Sequence, residues 1–222
     1  MFISEKERLH YANSVDVFLW FFIINNDFLR PLRQLKNKIK PMNELVTVHD
    51  RQFQAYIAAD RIQARIRELG HQITLDYKGK TPLFLGVLNG SFMFAADLLK
   101  SIDTPCEISF VKLQSYKGMS TTGEVQQLIG LTTDLTDRHI IIIEDIIDTG
   151  KTLFSFMTDL KAKHRLASVR IASLLVKPEA LVTDVKADYC GFEIPNKFVV
   201  GYGLDYDGYG RNYPAIYQLA NF

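Results

Sequence analysis

The sequence predicts an α/β domain built on a mainly parallel sheet, and three observations carry that prediction. Residues 140–143 are four consecutive isoleucines, a run that suits a strand buried on both faces. Residues 83–88 (LFLGVL) and 169–176 (VRIASLLV) are two further apolar runs of strand length. Helical stretches separate them, and alternation of strand, helix and strand implies parallel pairing with helices packed on the faces.

Taken in order, Ile62, Ile66 and Leu69 fall at helical spacing, so residues 60–69 predict a helix with Gly70 as its C-terminal stop. The strand over 83–88 runs into a turn, Asn89-Gly90-Ser91, and then a helix over 91–100 with Phe92, Ala95, Ala96 and Leu99 on one side. Residues 107–113 alternate and read as a strand. Residues 115–126 (SYKGMSTTGEVQ) are polar, carry two glycines and show no apolar period. A long polar loop in a compact domain is usually mobile or functional. The isoleucine strand follows, then a helix over 152–161 and the strand over 169–176. Beyond Lys177 the pattern loosens into short strands and turns, with residues 198–200 as one such strand.

The chain has 222 residues, enough for one large domain or a domain with a small lobe. A net charge of +1 gives no reason to expect a nucleic-acid partner. Cys106 and Cys190 stand in no CxxC pair and near no second ligand, which argues against a disulfide framework or structural zinc and fits a reducing cytoplasm. Residues 15–24 (VDVFLWFFII) are apolar but about half the roughly 20 residues that span a bilayer. A weak anchor, a packed helix and sequence outside the functional domain are the competing readings. Pro31, Pro41 and the basic stretch between them resemble a linker and favour the third. The expected organisation is therefore an N-terminal extension over 1–41 that lies outside the functional domain, no membrane partner, and a functional domain over 42–222.

The chemistry concentrates in residues 140–153, IIIIEDIIDTGKTL. A buried strand leads to two adjacent acids, two apolar residues, Asp-Thr-Gly-Lys-Thr and a helix. Ligands of open α/β sheets bind beyond the carboxyl ends of the strands. Small residues there let backbone N–H groups face an anion, and the helix N-terminus favours negative charge. Asp148, Thr149, Gly150, Lys151 and Thr152 thus form a candidate phosphate cradle. Glu144 and Asp145 could hold sugar hydroxyls or a hydrated magnesium. Gly150-Lys151-Thr152 also ends like a P-loop, but that motif requires glycine where Asp145 stands.

This run resembles the phosphoribosyl-pyrophosphate motif of phosphoribosyltransferases. From about Asp60 to the C-terminus, four segments in order resemble the hypoxanthine-guanine phosphoribosyltransferase family. The resemblance implies a type I phosphoribosyltransferase fold with a small hood lobe and a mobile lid. It implies a magnesium-dependent enzyme of purine salvage, a homodimer or homotetramer, joining phosphoribosyl pyrophosphate to a 6-oxopurine. Leu88, Asn89 and Gly90 would bind pyrophosphate through a backbone turn, often with a cis peptide, although many relatives carry a basic residue in place of Asn89. Ser115 and Tyr116 would begin the lid. Glu144 and Asp145 would approach the ribose hydroxyls and a magnesium shell, and Asp148 would be the general base at N7 of the purine. Residues 149–152 would hold the 5′-phosphate. Lys177 would donate to the 6-oxygen, Phe198 would stack on the ring, and Val199 would offer backbone groups to the base edge. Asp205 would bind a second magnesium and Arg211 would reach the pyrophosphate. A phosphoribosyl-pyrophosphate sensor that binds nucleic acid shares this kind of fold, but the chain shows no helix-turn-helix pattern.

Met42 opens the segment leading into the domain and is the expected natural start. N-terminal sequencing of the natively expressed protein checks this, and a product beginning at Met1 contradicts it.

Overall fold

The computed structural model describes residues 45–115, 125–129 and 133–220. The N-terminal apolar run, Met42 and Tyr116 lie outside them. Two sheets organise the fold. The larger comprises β3 (Leu83–Leu88), β4 (Glu107–Ser115), β5 (Val125–Ile129), β6 (His139–Ile147), β7 (Ser168–Val176) and β8 (Tyr189–Glu193). Its order is β5-β4-β3-β6-β7-β8, parallel throughout except for the antiparallel edge strand β5. The smaller sheet joins β1 (Leu45–Val48), β2 (Arg51–Ile57), β9 (Val199–Val200) and β10 (Ile216–Leu219) in the antiparallel order β1-β2-β10-β9. This is the hood.

The large sheet is covered on both faces, as its unbroken apolar strands require. Helices α1 (Ala59–Asp76) and α2 (Phe92–Leu99) pack Ile62, Ile66, Leu69, Phe94 and Leu98 on one face, against Ile141 and Ile143. Helix α3 (Lys151–Lys163) packs Leu153, Phe156 and Leu160 on the other, against Ile140 and Ile142. The hood has its own small core of Val46, Val48, Phe53, Val200 and Tyr217. Among the described residues no helix is long and apolar enough to cross a membrane.

Four expectations are corrected. Gly70 does not end α1, which continues to Asp76. A Cβ at Gly70 would lie 2.5 Å from Ser101 Cβ and 2.6 Å from its carbonyl oxygen, so glycine is there for close approach. In α2 the buried residues are Phe94, Ala95 and Leu98, while Phe92 is exposed. Almost every position of that helix is apolar, so the pattern could not choose the face. The acids Glu144 and Asp145 lie within β6 rather than past its end, because β7 continues to pair with it up to Ile147. Val125 and Gln126 belong to β5, not to a loop. Pairing at a sheet edge uses backbone groups and does not require an apolar period. The β1–β2 hairpin carried no signal that separated it from a leading segment.

Replacing a helical glycine by alanine ordinarily stabilises by about 1 kcal/mol. At Gly70 the sign is expected to reverse. Gly70→Ala should lower the denaturant-unfolding free energy by about 1–3 kcal/mol, the usual cost of overpacking.

Candidate active site

The site begins where two neighbouring strands part. β3 and β6 pair from Leu83↔Ile140 to Gly86↔Ile143 and no further. β3 stays on β4 up to Leu88↔Lys112, while β6 stays on β7 up to Ile147↔Val176. The chain leaves β3 for β4 on one side and later returns as β6 on the other. This is a topological switch point, where α/β sheets bind ligands. Glu144 and Asp145 are the first residues of β6 beyond the parting. The facing pattern inverts across them: Ile146 packs with the cluster of Ile141 and Ile143, and Ile147 with that of Ile140 and Ile142.

Opposite these acids, β3 ends in the turn of Leu88, Asn89, Gly90 and Ser91. The Leu88–Asn89 peptide is cis. Ser91 is fully buried; its Oγ donates to Val87 O (2.7 Å), and its carbonyl receives Ala95 N (2.8 Å), which fastens the turn to α2. The Asp145 carboxylate occupies the space a Cβ on Gly90 would need. On another side Gly203, with φ of 99°, brings its backbone against the Gly90 carbonyl in the same way. Glycine is thus required at both positions for the hood segment, the turn and the acid strand to meet.

After β6 comes the segment read from the sequence as a candidate phosphate cradle. Gly150 adopts φ of 76° immediately before α3 and turns the chain into the helix. A crevice of about 230 Å³ is lined by Glu144 and residues 146–153. It therefore contains Asp148, Thr149, Gly150, Lys151 and Thr152 together, at the amino end of a 13-residue helix.

Lys177 follows β7 on the same edge, its backbone N–H donating to Ile147 O (2.9 Å). The side chain is buried, at 6% exposure, and its Nζ donates to Asp148 Oδ2 at 2.9 Å. In the hood, Arg211 Nη2 lies 2.7 Å from Asp205 Oδ1, and Arg211 Nη1 donates to Gly203 O at 2.6 Å. Phe198 is 44% exposed, and its ring packs edge-on to Tyr206 and tilted against Phe53. Val199 pairs with Gln218 of β10. Ser115 ends β4 and pairs with Val125.

The structure therefore brings Asp148 to Lys177, Asp205 to Arg211 and Asp145 to Gly90. Sequence reasoning missed Gly203, Phe53, Tyr202 and Tyr206. The Gly-Tyr-Gly run at 201–203 was the available signal, since paired glycines mark tight backbone approach. The two adjacent acids retain some solvent-accessible surface, yet protein surrounds their carboxyl groups. Burial raises Glu144 well above the ordinary carboxylate range, and the neighbouring Asp145 charge adds to this. Burial likewise lifts Asp145 to about 6; hydrogen bonds from the Ile146 amide and its own backbone and the Arg211 charge oppose the shift, while Asp205 reinforces it.

Comparison with known proteins fits this arrangement. The Phosphoribosyl transferase domain model matches residues 55–207. The chain belongs to the phosphoribosyltransferase family. This phosphoribosyltransferase is 48% identical over 158 residues to the hypoxanthine-guanine phosphoribosyltransferase of Streptococcus mutans, covering 71% of this chain and 87% of that protein. It is 45% identical over 161 residues to the enzyme of that name from Lactococcus lactis, covering 72% and 87%. A crystal structure of a hypoxanthine phosphoribosyltransferase from Staphylococcus aureus superposes with a TM-score of 0.71 at 43% identity, over 75% of this chain and 91% of that one.

The raised acids give the phosphoribosyltransferase a measurable pH signature. Between the ordinary aspartate value of 3.8 and about 6, the folded chain holds a proton on Asp145 that the unfolded chain has released. Stability from this group is complete below 3.8 and is lost as pH rises through about 6. At pH 7 without metal, Asp145→Asn should be more stable than the parent by roughly 1–2 kcal/mol, after discounting for solvent. Thermal melts of both proteins at pH 4 and pH 7 check this; the difference should shrink at the lower pH.

Proposed function

We propose that this chain transfers the phosphoribosyl group of phosphoribosyl pyrophosphate to hypoxanthine or guanine, giving IMP or GMP and pyrophosphate. The observation that carries the reading is the Lys177–Asp148 pair beside the phosphate cradle. A lysine ammonium only donates hydrogen bonds and a carboxylate only accepts them. Side by side, they complement the 6-oxygen and the N7 proton of a 6-oxopurine, which would replace their contact with each other. An adenine amino group would instead meet a donor with a donor.

In this mechanism the bond from C1 of the ribose to pyrophosphate breaks, and its electrons leave with the pyrophosphate. A ring nitrogen of the base forms the new bond to C1, and Asp148 takes the N7 proton as general base. Residues 149–152 hold the 5′-phosphate, while the peptide groups of Leu88, Asn89 and Gly90 and the side chain of Arg211 receive the pyrophosphate. Phe198 stacks on the base and Val199 presents backbone groups to its edge. Ser115, ending β4 at the same edge of the sheet, and Tyr116 begin a lid that excludes water.

Glu144, Asp145 and Asp205 fit magnesium. Two of them are adjacent acids whose charged forms burial disfavours, and all offer oxygen ligands. Among the described residues no three acids, histidines or cysteines alone form a metal cluster. That suits an ion that takes one or two carboxylates and completes its shell with water and substrate oxygens. Bound there, magnesium would neutralise charge growing on the departing pyrophosphate. A cytoplasmic homodimer or homotetramer belongs to the same reading, and the free thiols Cys106 and Cys190 support the compartment.

A spectrophotometric assay with phosphoribosyl pyrophosphate, magnesium and each purine base tests the proposal. Hypoxanthine and guanine should be converted only when magnesium is present. Binding of phosphoribosyl pyrophosphate without turnover of any base would favour a sensor instead. Adenine should be a poor substrate, and equal turnover of adenine and hypoxanthine would defeat the role given to Lys177. Asp148→Asn should lower turnover by roughly 10²–10⁴-fold, the contribution typical of a general base.

A further inference from the structure

Tyr202 is a large side chain almost wholly removed from solvent, at 2% exposure, between two glycines with φ of 99°. Tyr202 itself has φ of 50°, a left-handed conformation uncommon for a residue with a side chain. Backbone bonds hold it there: Tyr202 N donates to Tyr213 O (2.8 Å), Gly203 N to Arg211 O (2.9 Å) and Gly201 N to Leu204 O (3.0 Å). The phenol leaves the hood and donates to Asp97 Oδ2 of α2 at 2.6 Å. Gln63 Nε2 of α1 donates to the same oxygen at 2.6 Å and to the phenol at 3.3 Å. Lys100 Nζ lies on the other oxygen, Asp97 Oδ1, at 2.8 Å.

The two ends of this bond are informative. α2 starts directly after the turn of Leu88, Asn89, Gly90 and Ser91, so Asp97 moves with that turn. Tyr202 immediately precedes Gly203, whose backbone rests on the Gly90 carbonyl and whose own carbonyl receives Arg211. Arg211 in turn holds Asp205. Every group assigned to pyrophosphate therefore meets at Gly90 and Gly203, and the Tyr202–Asp97 bond ties their two supporting elements together from behind. A hydrogen bond to a carboxylate inside the protein is among the stronger neutral-to-charged contacts.

We infer that Tyr202 and Asp97 are positioning residues for pyrophosphate: they fix the distance between the Gly90 turn and the Gly203–Arg211 segment without touching substrate. The inference rests on the reading of this site as a phosphoribosyl-pyrophosphate site. The residues given to the 5′-phosphate, 149–152, and Lys177 lie on segments this bond does not join, while Phe198 and Val199 precede Tyr202 in the hood and are held there by Phe53, Tyr206 and β10. Loss of the phenol should loosen pyrophosphate selectively.

The test measures dissociation constants of phosphoribosyl pyrophosphate and of IMP, with magnesium, for the full chain and for Tyr202→Phe. The Phe variant should bind phosphoribosyl pyrophosphate about tenfold more weakly and IMP within about twofold of the parent, with KM for the diphosphate rising more than kcat falls. Asp97→Asn keeps an oxygen acceptor for the phenol and should show a smaller loss; it is also the variant to measure if Tyr202→Phe does not fold. Equal weakening of both ligands in either variant would mark a merely structural role, and unchanged binding of both would overturn the inference. A parent protein that binds neither ligand would instead defeat the underlying reading of the site.

Discussion

Strand β6 follows β3 for four residues and then leaves it, and the rest of the site depends on that departure. While the strands are paired their backbones are about 5 Å apart, too close for any ligand to enter between them. Once Gly86 and Ile143 are passed, β3 is held by β4 and β6 by β7. The gap is then lined by whatever residues the two strands carry next. On β3 these are the residues of a glycine-containing turn, Leu88 to Ser91. On β6 they are two acids, followed by a second glycine turn into α3. One feature of sheet topology thus sets the turn after β3 against Asp145, and Glu144 in the crevice at the amino end of α3.

Holding two adjacent carboxylates in that gap is unfavourable for the protein alone. Burial opposes the charge on both, and the Asp145 charge further opposes that on Glu144. The fold tolerates this because the strands on either side are mostly buried and apolar, so the cost falls on a small part of a large core. Under the proposed function, a cation and polar sugar hydroxyls would offset that cost on binding. A site of this kind is a place where stability is given up for binding.

The hood answers a different need. Under the proposed function a base must be gripped on its face and read at its edge, and the large sheet offers neither. The hood supplies an exposed aromatic ring, Phe198, supported from behind by Phe53 and Tyr206, beside a strand whose backbone is partly free. It is joined to the large sheet by close backbone contact at Gly203 and by the Tyr202 phenol. The hood therefore shares one boundary with the turn that ends β3.

Local sequence determined much of this. The isoleucine run at 140–143 suits a strand buried on both faces, and the Asp-Thr-Gly-Lys-Thr at 148–152 could serve a phosphate because small residues before a helix expose backbone N–H groups. The segments at 87–91, 177 and 197–211 carried a family resemblance that the comparisons bear out. Tertiary structure alone decided the rest. The Gly70 signal looked like a helix stop because a glycine needed for a tight turn and one needed for a close neighbour are the same residue in sequence. The buried face of α2 was undetermined because apolar residues surround that helix on nearly all sides. Asp97 and Tyr202 are separated by 105 positions, and no local pattern encodes a hydrogen bond between them. Periodicity and turn chemistry act over a few residues, whereas these contacts exist only after the sheet has brought distant segments together.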